Sequence, residues 1–199
     1  MLGRRPTEQV RRHVDLQNEA LNCVAVGRLV ASPSASRDGR LSFEVRLGGH
    51  QEKAALDLLP LRAVQPLLLE VRQTVSVELS DTALVPVRVT FYNYRFVLDS
   101  GGRPVEIVAF HSTPDAPPGQ RTYPHLHIGS AVASGSVFRP KDFNRLHIPT
   151  GPLSLEAVLL FAVEELGVEP AQGRDRVAVI ELLRAGDRAV RWERAGQQD

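Results

Sequence analysis

Cysteine is nearly missing from this chain: Cys23 is the one example in 199 residues. A lone thiol can close no intramolecular disulfide and build no thiolate metal site. Set in the apolar stretch LNCVAVG, it reads as a buried, inert side chain. Long apolar runs are missing too. No 18 consecutive residues are apolar, and PLLLEV is far too short to span a bilayer. The first residues, MLGRRPTEQVRRH, carry charge with no apolar segment behind it, so they do not read as a signal peptide. These absences predict a cytoplasmic protein with no membrane role. Nor does either sign of charge dominate: 24 basic residues face 23 acidic ones, for a net charge of +1. That balance argues against a basic nucleic-acid coat and an acidic interaction tail, while leaving room for a local patch. What is present, 43% hydrophobic and 24% charged residues, suffices for one domain with a proper core.

Along the chain, Thr7 is placed to cap an amphipathic helix from Glu8 to Leu21, with Val10, Val14 and Leu21 on one side. CVAVGRLV and RLSFEVRL flank the polar ASPSASRDG, the pattern of a β-hairpin with a longer loop. In residues 52–72 leucines recur at helical spacing while Pro60 and Pro66 forbid one continuous helix, which predicts two short helical pieces. Alternation is plain in VPVRVTFYNYRFVLDS, with Val87, Val89 and Phe91 on one face and Tyr92, Tyr94 and Phe96 on the other. The turn DSGGR leads into PVEIVAFH, so residues 85–111 read as an antiparallel hairpin. TYPHLHIG follows as a third strand, and AVASGSVFRPKDFN as a long irregular loop.

TGPLSLEAVLLFAVEELGVEP has the marks of a helix: Ser154 to cap it, Glu156 in its first turn, Gly167 and Pro170 to end it. DRVAVIELLRAG should form another helix, with RAVRWERAGQQD ending as a short strand or fraying. The order predicts an α+β fold, an antiparallel β-sheet with helices packed mainly on one face. A boundary near residues 80–84 would divide an N-terminal helix and hairpin region, 1–82, from an α+β region, 83–199, within one domain or as two.

Six histidines occur, and His111, His125, His127 and His147 fall within 37 residues. In PHLHIG, Leu126 and Ile128 point one way and His125 and His127 the other. Three readings fit such a set. The imidazoles could serve as general acid and base on a phosphodiester, with Tyr92, Tyr94, Arg95 or Arg121 holding the anion. His111, His125 and His127 could instead bind zinc or another divalent ion, although no carboxylate recurs beside them. Or the rings could be hydrogen-bonded strand residues with structural duties. The two-histidine phosphoesterase pattern is half present: AFHSTP supplies His111 and Thr113, but HIGS and HIPT each place the hydroxyl one residue too far along.

The succession YNYRFVLDSGG, VAFH, YPHLH and a helix opening SLEAV resembles the small TumE-type toxins of bacterial toxin–antitoxin pairs, over about residues 90–168. The resemblance implies a compact ribonuclease-like domain that acts on RNA without an obligatory metal cofactor, and an antitoxin as protein partner. Tyr94, Arg95, His111, His125 and His127 are the matching positions. The leading expectation is therefore RNA cleavage in which His125 and His127 transfer protons, His111 or His147 assist, and Tyr94, Arg95 and Arg121 contact substrate. The rival is a non-catalytic protein-binding or metal-binding module, with PLLLEV and residues 130–145 carrying the interaction.

Overall fold

A computed structural model describes residues 4–37, 39–48, 58–78, 87–113, 123–129 and 147–195. They form an antiparallel sheet with its helices on one side, the expected α+β architecture. The strands are β1 (Leu29–Arg37), β2 (Arg40–Leu47), β3 (Leu58–Pro60), β4 (Leu67–Glu78), β5 (Arg88–Ser100), β6 (Arg103–Ser112), β7 (His125–Ile128) and β8 (His147–Pro149). Their order across the sheet is β1-β2-β4-β5-β6-β7-β8. β5 runs along one edge of β4, so β2 and β3 share the other edge, β2 against Arg72–Glu78 and β3 against Leu68–Glu70. β4 and β5 pair from Leu67↔Leu98 to Ser76↔Arg88, so one sheet crosses from the N-terminal region into the C-terminal one.

Three described helices, α1 (Arg4–Leu21), α2 (Leu155–Glu164) and α3 (Arg176–Ala195), complete the fold. Val10, Val14 and Leu21 of α1 are buried, as are Leu155, Val158, Leu159, Ala162 and Val163 of α2. Tyr92, Tyr94 and Phe96 meet them from the sheet, and Phe161 packs edge-on against Phe110, ring centroids 5.4 Å apart. Ser154 is the N-cap of α2, its hydroxyl accepting from the Ala157 amide at 3.1 Å. α3 packs on α2, and Gly186 explains how closely. A Cβ there would lie 2.8 Å from Cγ of Glu156. No helix among the described residues is long and apolar enough to cross a membrane.

Several local expectations need correction. α1 starts at Arg4, so Thr7 lies inside it rather than capping it. The first hairpin exists, but β1 runs through ASPSASR, and Gly39 turns the chain at φ 72°. Residues 58–60 and 67–72 are strand, not helical pieces, the second of them opening β4, while 51–57 lie outside the described residues. β4 is paired on both edges and buried over Leu69, Glu70 and Val71 in succession, so tertiary pairing overrides leucine spacing. In β5 the register shifts between Thr74 and Val75 of its partner, leaving Thr90 as an extra residue. The bulge brings Val89 onto the core side with Tyr92, against simple alternation. Past Gly186 the chain stays helical to Ala195 instead of forming a strand. The long loop of residues 130–146 lies outside the described residues, as do 114–122.

Candidate metal centre

β7 holds its place through its apolar side chains. Leu126 pairs with Phe110 and Ile128 with Val108, on the face that meets the helices. With a side-chain period of two, that register sends His125 and His127 to the opposite face. It also sets His111 directly across from His125, while β8 sets His147 across from His127. Directly opposed residues in an antiparallel pair share a face. Four imidazoles from three adjacent strands therefore stand together.

The ring centroids of His127 and His147 lie 3.9 Å apart, nearly perpendicular. Those of His125 lie 4.8 Å from His147 and 5.1 Å from His127. His111 sits 4.9 Å from His127 and 5.7 Å from His125. His125 is buried, and the other three are half-buried. One ring nitrogen from each of His125, His127 and His147 lies within 4.8 Å of the others, and this trio is the set of potential metal ligands found among the described residues. The third member is His147, across the β7–β8 ladder, rather than His111.

His125 Nδ1 lies 2.8 Å from the carbonyl oxygen of Tyr123. A carbonyl only accepts, so Nδ1 carries the proton and the neutral ring keeps its lone pair on Nε2. Burial, followed by the neighbouring His127, His125, Arg95 and His147, pulls the pKa of His111 from 6.5 to about 4. At neutral pH this ring is uncharged.

One strand further in, the row through His147 and His127 continues to Ala109, Arg95 and Glu70. Arg95 Nε lies 2.9 Å from Glu70 Oε2 and 3.6 Å from Glu106 Oε2. Glu70 is only 4% exposed, so this carboxylate is buried against a half-buried cation. A charged residue inside the leucine run PLLLEV was the sequence signal for such a pair, since a buried carboxylate demands a partner.

Of the residues expected to contact substrate, Arg95 shares the histidine face. Tyr94 does not. It is 1% exposed on the helix side, stacked on Tyr92 at 5.0 Å, and its hydroxyl accepts from Gln73 Nε2 at 2.7 Å. The period-two alternation that separates Leu126 from His127 separates Tyr94 from Arg95. Arg121 lies outside the described residues. Comparison with family models, curated proteins and solved structures finds no match to the chain. The TumE-type resemblance therefore rests on the quoted motifs alone.

Proposed function

We propose that this face is a metal centre in which His125, His127 and His147 hold one divalent transition-metal ion, zinc being the best fit. The observation that carries the reading is the convergence of three ring nitrogens within 4.8 Å of one another. Tetrahedral zinc with Zn–N of about 2.0–2.1 Å would draw such nitrogens to about 3.3 Å apart. Side-chain rotation on a fixed sheet can supply that contraction. All-imidazole donors suit zinc, copper or nickel better than magnesium or calcium, which prefer oxygen. The Tyr123 carbonyl acts as the outer partner that fixes the tautomer and aim of a ligating ring. Three protein ligands leave a fourth position for water or substrate, the arrangement of catalytic rather than structural zinc. An ion held there would supply an acidified water as nucleophile, which makes this a hydrolytic centre.

A second reading is metal-free cleavage of RNA, as the TumE-type resemblance implies. His111 favours it, because an imidazole neutral at pH 7 can accept a proton while a neighbouring histidine donates one. The close packing of the rings favours the metal, since centroids 3.9–5.1 Å apart suit an ion better than an intervening phosphoryl group.

Metal analysis after reconstitution, paired with a nuclease assay in excess chelator, separates the readings. One equivalent of zinc per chain, lost in His127→Ala and His147→Ala, is the expected result. No stoichiometric uptake in the folded protein would overturn the metal centre. Chelator-resistant RNA cleavage abolished by His127→Ala would establish the second reading instead. Zinc uptake without any hydrolysis would leave a non-catalytic metal-binding module.

A further inference from the structure

Resting on the metal reading, we infer that the centre acts on a phosphoryl group, with Arg95 binding the oxyanion beside the ion. The argument starts from charge. Three neutral imidazoles cancel none of a divalent ion's charge, so the open position attracts an anion. Arg95 and His127 flank Ala109 in one cross-strand row, with only a methyl side chain between them on that face. Among the described residues Arg95 approaches Glu70 and Glu106 through Nε, and its terminal nitrogens make no hydrogen bond. The paired terminal nitrogens, the edge that matches two oxygens of a phosphate, are uncommitted.

The carboxylates explain why this arginine can stay in place. A buried ion pair adds little net stability, because desolvation offsets the attraction, but it fixes a side chain in one orientation. Glu70 grips Arg95 from β4 and Glu106 from β6, across both neighbours of β5. Together they neutralise more than the charge of Arg95, so the site draws its attraction for anions from the metal and its geometry from the fork. A carboxylate has two oxygens and can give only one to each cation. A phosphoryl group has three diverging oxygens and can meet the ion with one while giving two to the guanidinium fork.

The test is a titration of cobalt-loaded protein with inorganic phosphate, followed in the visible ligand-field bands, with acetate as the comparison anion. Phosphate should shift the bands of the parent protein at concentrations where acetate has little effect. Arg95→Lys should weaken phosphate binding about 10- to 100-fold, the loss expected when a charge-assisted hydrogen-bond pair is removed, while cobalt affinity stays unchanged. Should loss of the fork leave Glu70 strained, Glu70→Gln combined with Arg95→Met removes both charges and must give the same outcome. Equal phosphate affinity in parent and variants, or no discrimination against acetate, overturns the inference and leaves the metal centre standing. Failure of the parent to take up cobalt overturns both.

Discussion

On one face of β6 and β7 stand Val108, Phe110, Leu126 and Ile128; on the other stand Ala109, His111, His125 and His127. The two sets alternate residue by residue along the same strands, yet they face different physical problems. The first is packed against α2 through Phe161, where exchange of one apolar group for another of similar volume costs little. The second carries three imidazoles, joined by His147 of β8, whose usefulness depends on placement to within an ångström. The comparison teaches that the apolar face is what positions the polar one. Leu126 against Phe110 sets the register, and the register decides which histidines meet.

The change expected to break this division most severely is Gly129→Ala. Gly129 closes β7, its amide donating to the Ile107 carbonyl at 2.6 Å. An added Cβ would lie 1.8 Å from the carbonyl oxygen of Glu106 and 2.5 Å from its carbon, both backbone atoms that cannot swing aside. β7 must move off β6, carrying the histidines with it and disturbing a residue that holds Arg95. The expected cost is about 3 kcal/mol or more. The melting temperature should fall by roughly 6–12 °C, and metal uptake should be lost. A variant that melts like the parent and still binds zinc would mean that the β6–β7 register does not hold the site.

This dependence on register also explains what was legible in the sequence. The period-two alternation in PHLHIG was enough to put His125 and His127 on one face, and SLEAV enough to start α2 at Ser154. That His147 joins the site was expected from the sequence, but its placement directly across from His127 was not legible. It needs the three-residue β8 to pair in one register out of several, and nothing local to LHIPTG specifies which. The first half of β4 was misread for the opposite reason. Paired on both edges, with Glu70 buried against Arg95, residues 67–72 have too little polar alternation to announce a strand, whereas the alternating TVSVE that follows does. The continuation of α3 through Gly186 was hidden likewise, because the reason for that glycine is Glu156 on another helix.

Acid should loosen the molecule from the histidine side. His111 has its pKa lowered from 6.5 to about 4, so the unfolded chain takes up a proton that the folded chain resists. Stability present at neutral pH is therefore lost as the pH falls from about 6.5 towards 4. For this ring the loss is on the order of 2–3 kcal/mol. Denaturant midpoints of chelator-treated protein at pH 7 and pH 4.5 measure it. His111→Asn, which has no such proton to take up, should shrink the difference between the two. An unchanged difference would show that the acid sensitivity originates elsewhere.

The smallest effect tests the comparison from the helix side. Ser154 Oγ accepts from the Ala157 amide and donates to Asp187 Oδ1 at 2.8 Å, tying the start of α2 to α3. Ser154→Ala leaves that amide without its cap and should cost about 1 kcal/mol. A drop of roughly 2–4 °C in melting temperature follows. Asparagine can also cap a helix and donate to a carboxylate, so Ser154→Asn should recover most of the loss. Zinc affinity, measured by competition with a chromophoric chelator, should be the same in all three proteins. The reason is structural: the cap fixes an end of α2, whereas the register of β7 is set by side chains within the sheet. A fall in zinc affinity that tracks the fall in melting temperature would mean that the helix layer transmits its packing through Phe161 and Phe110 to the metal site, and that the two faces form one mechanical unit.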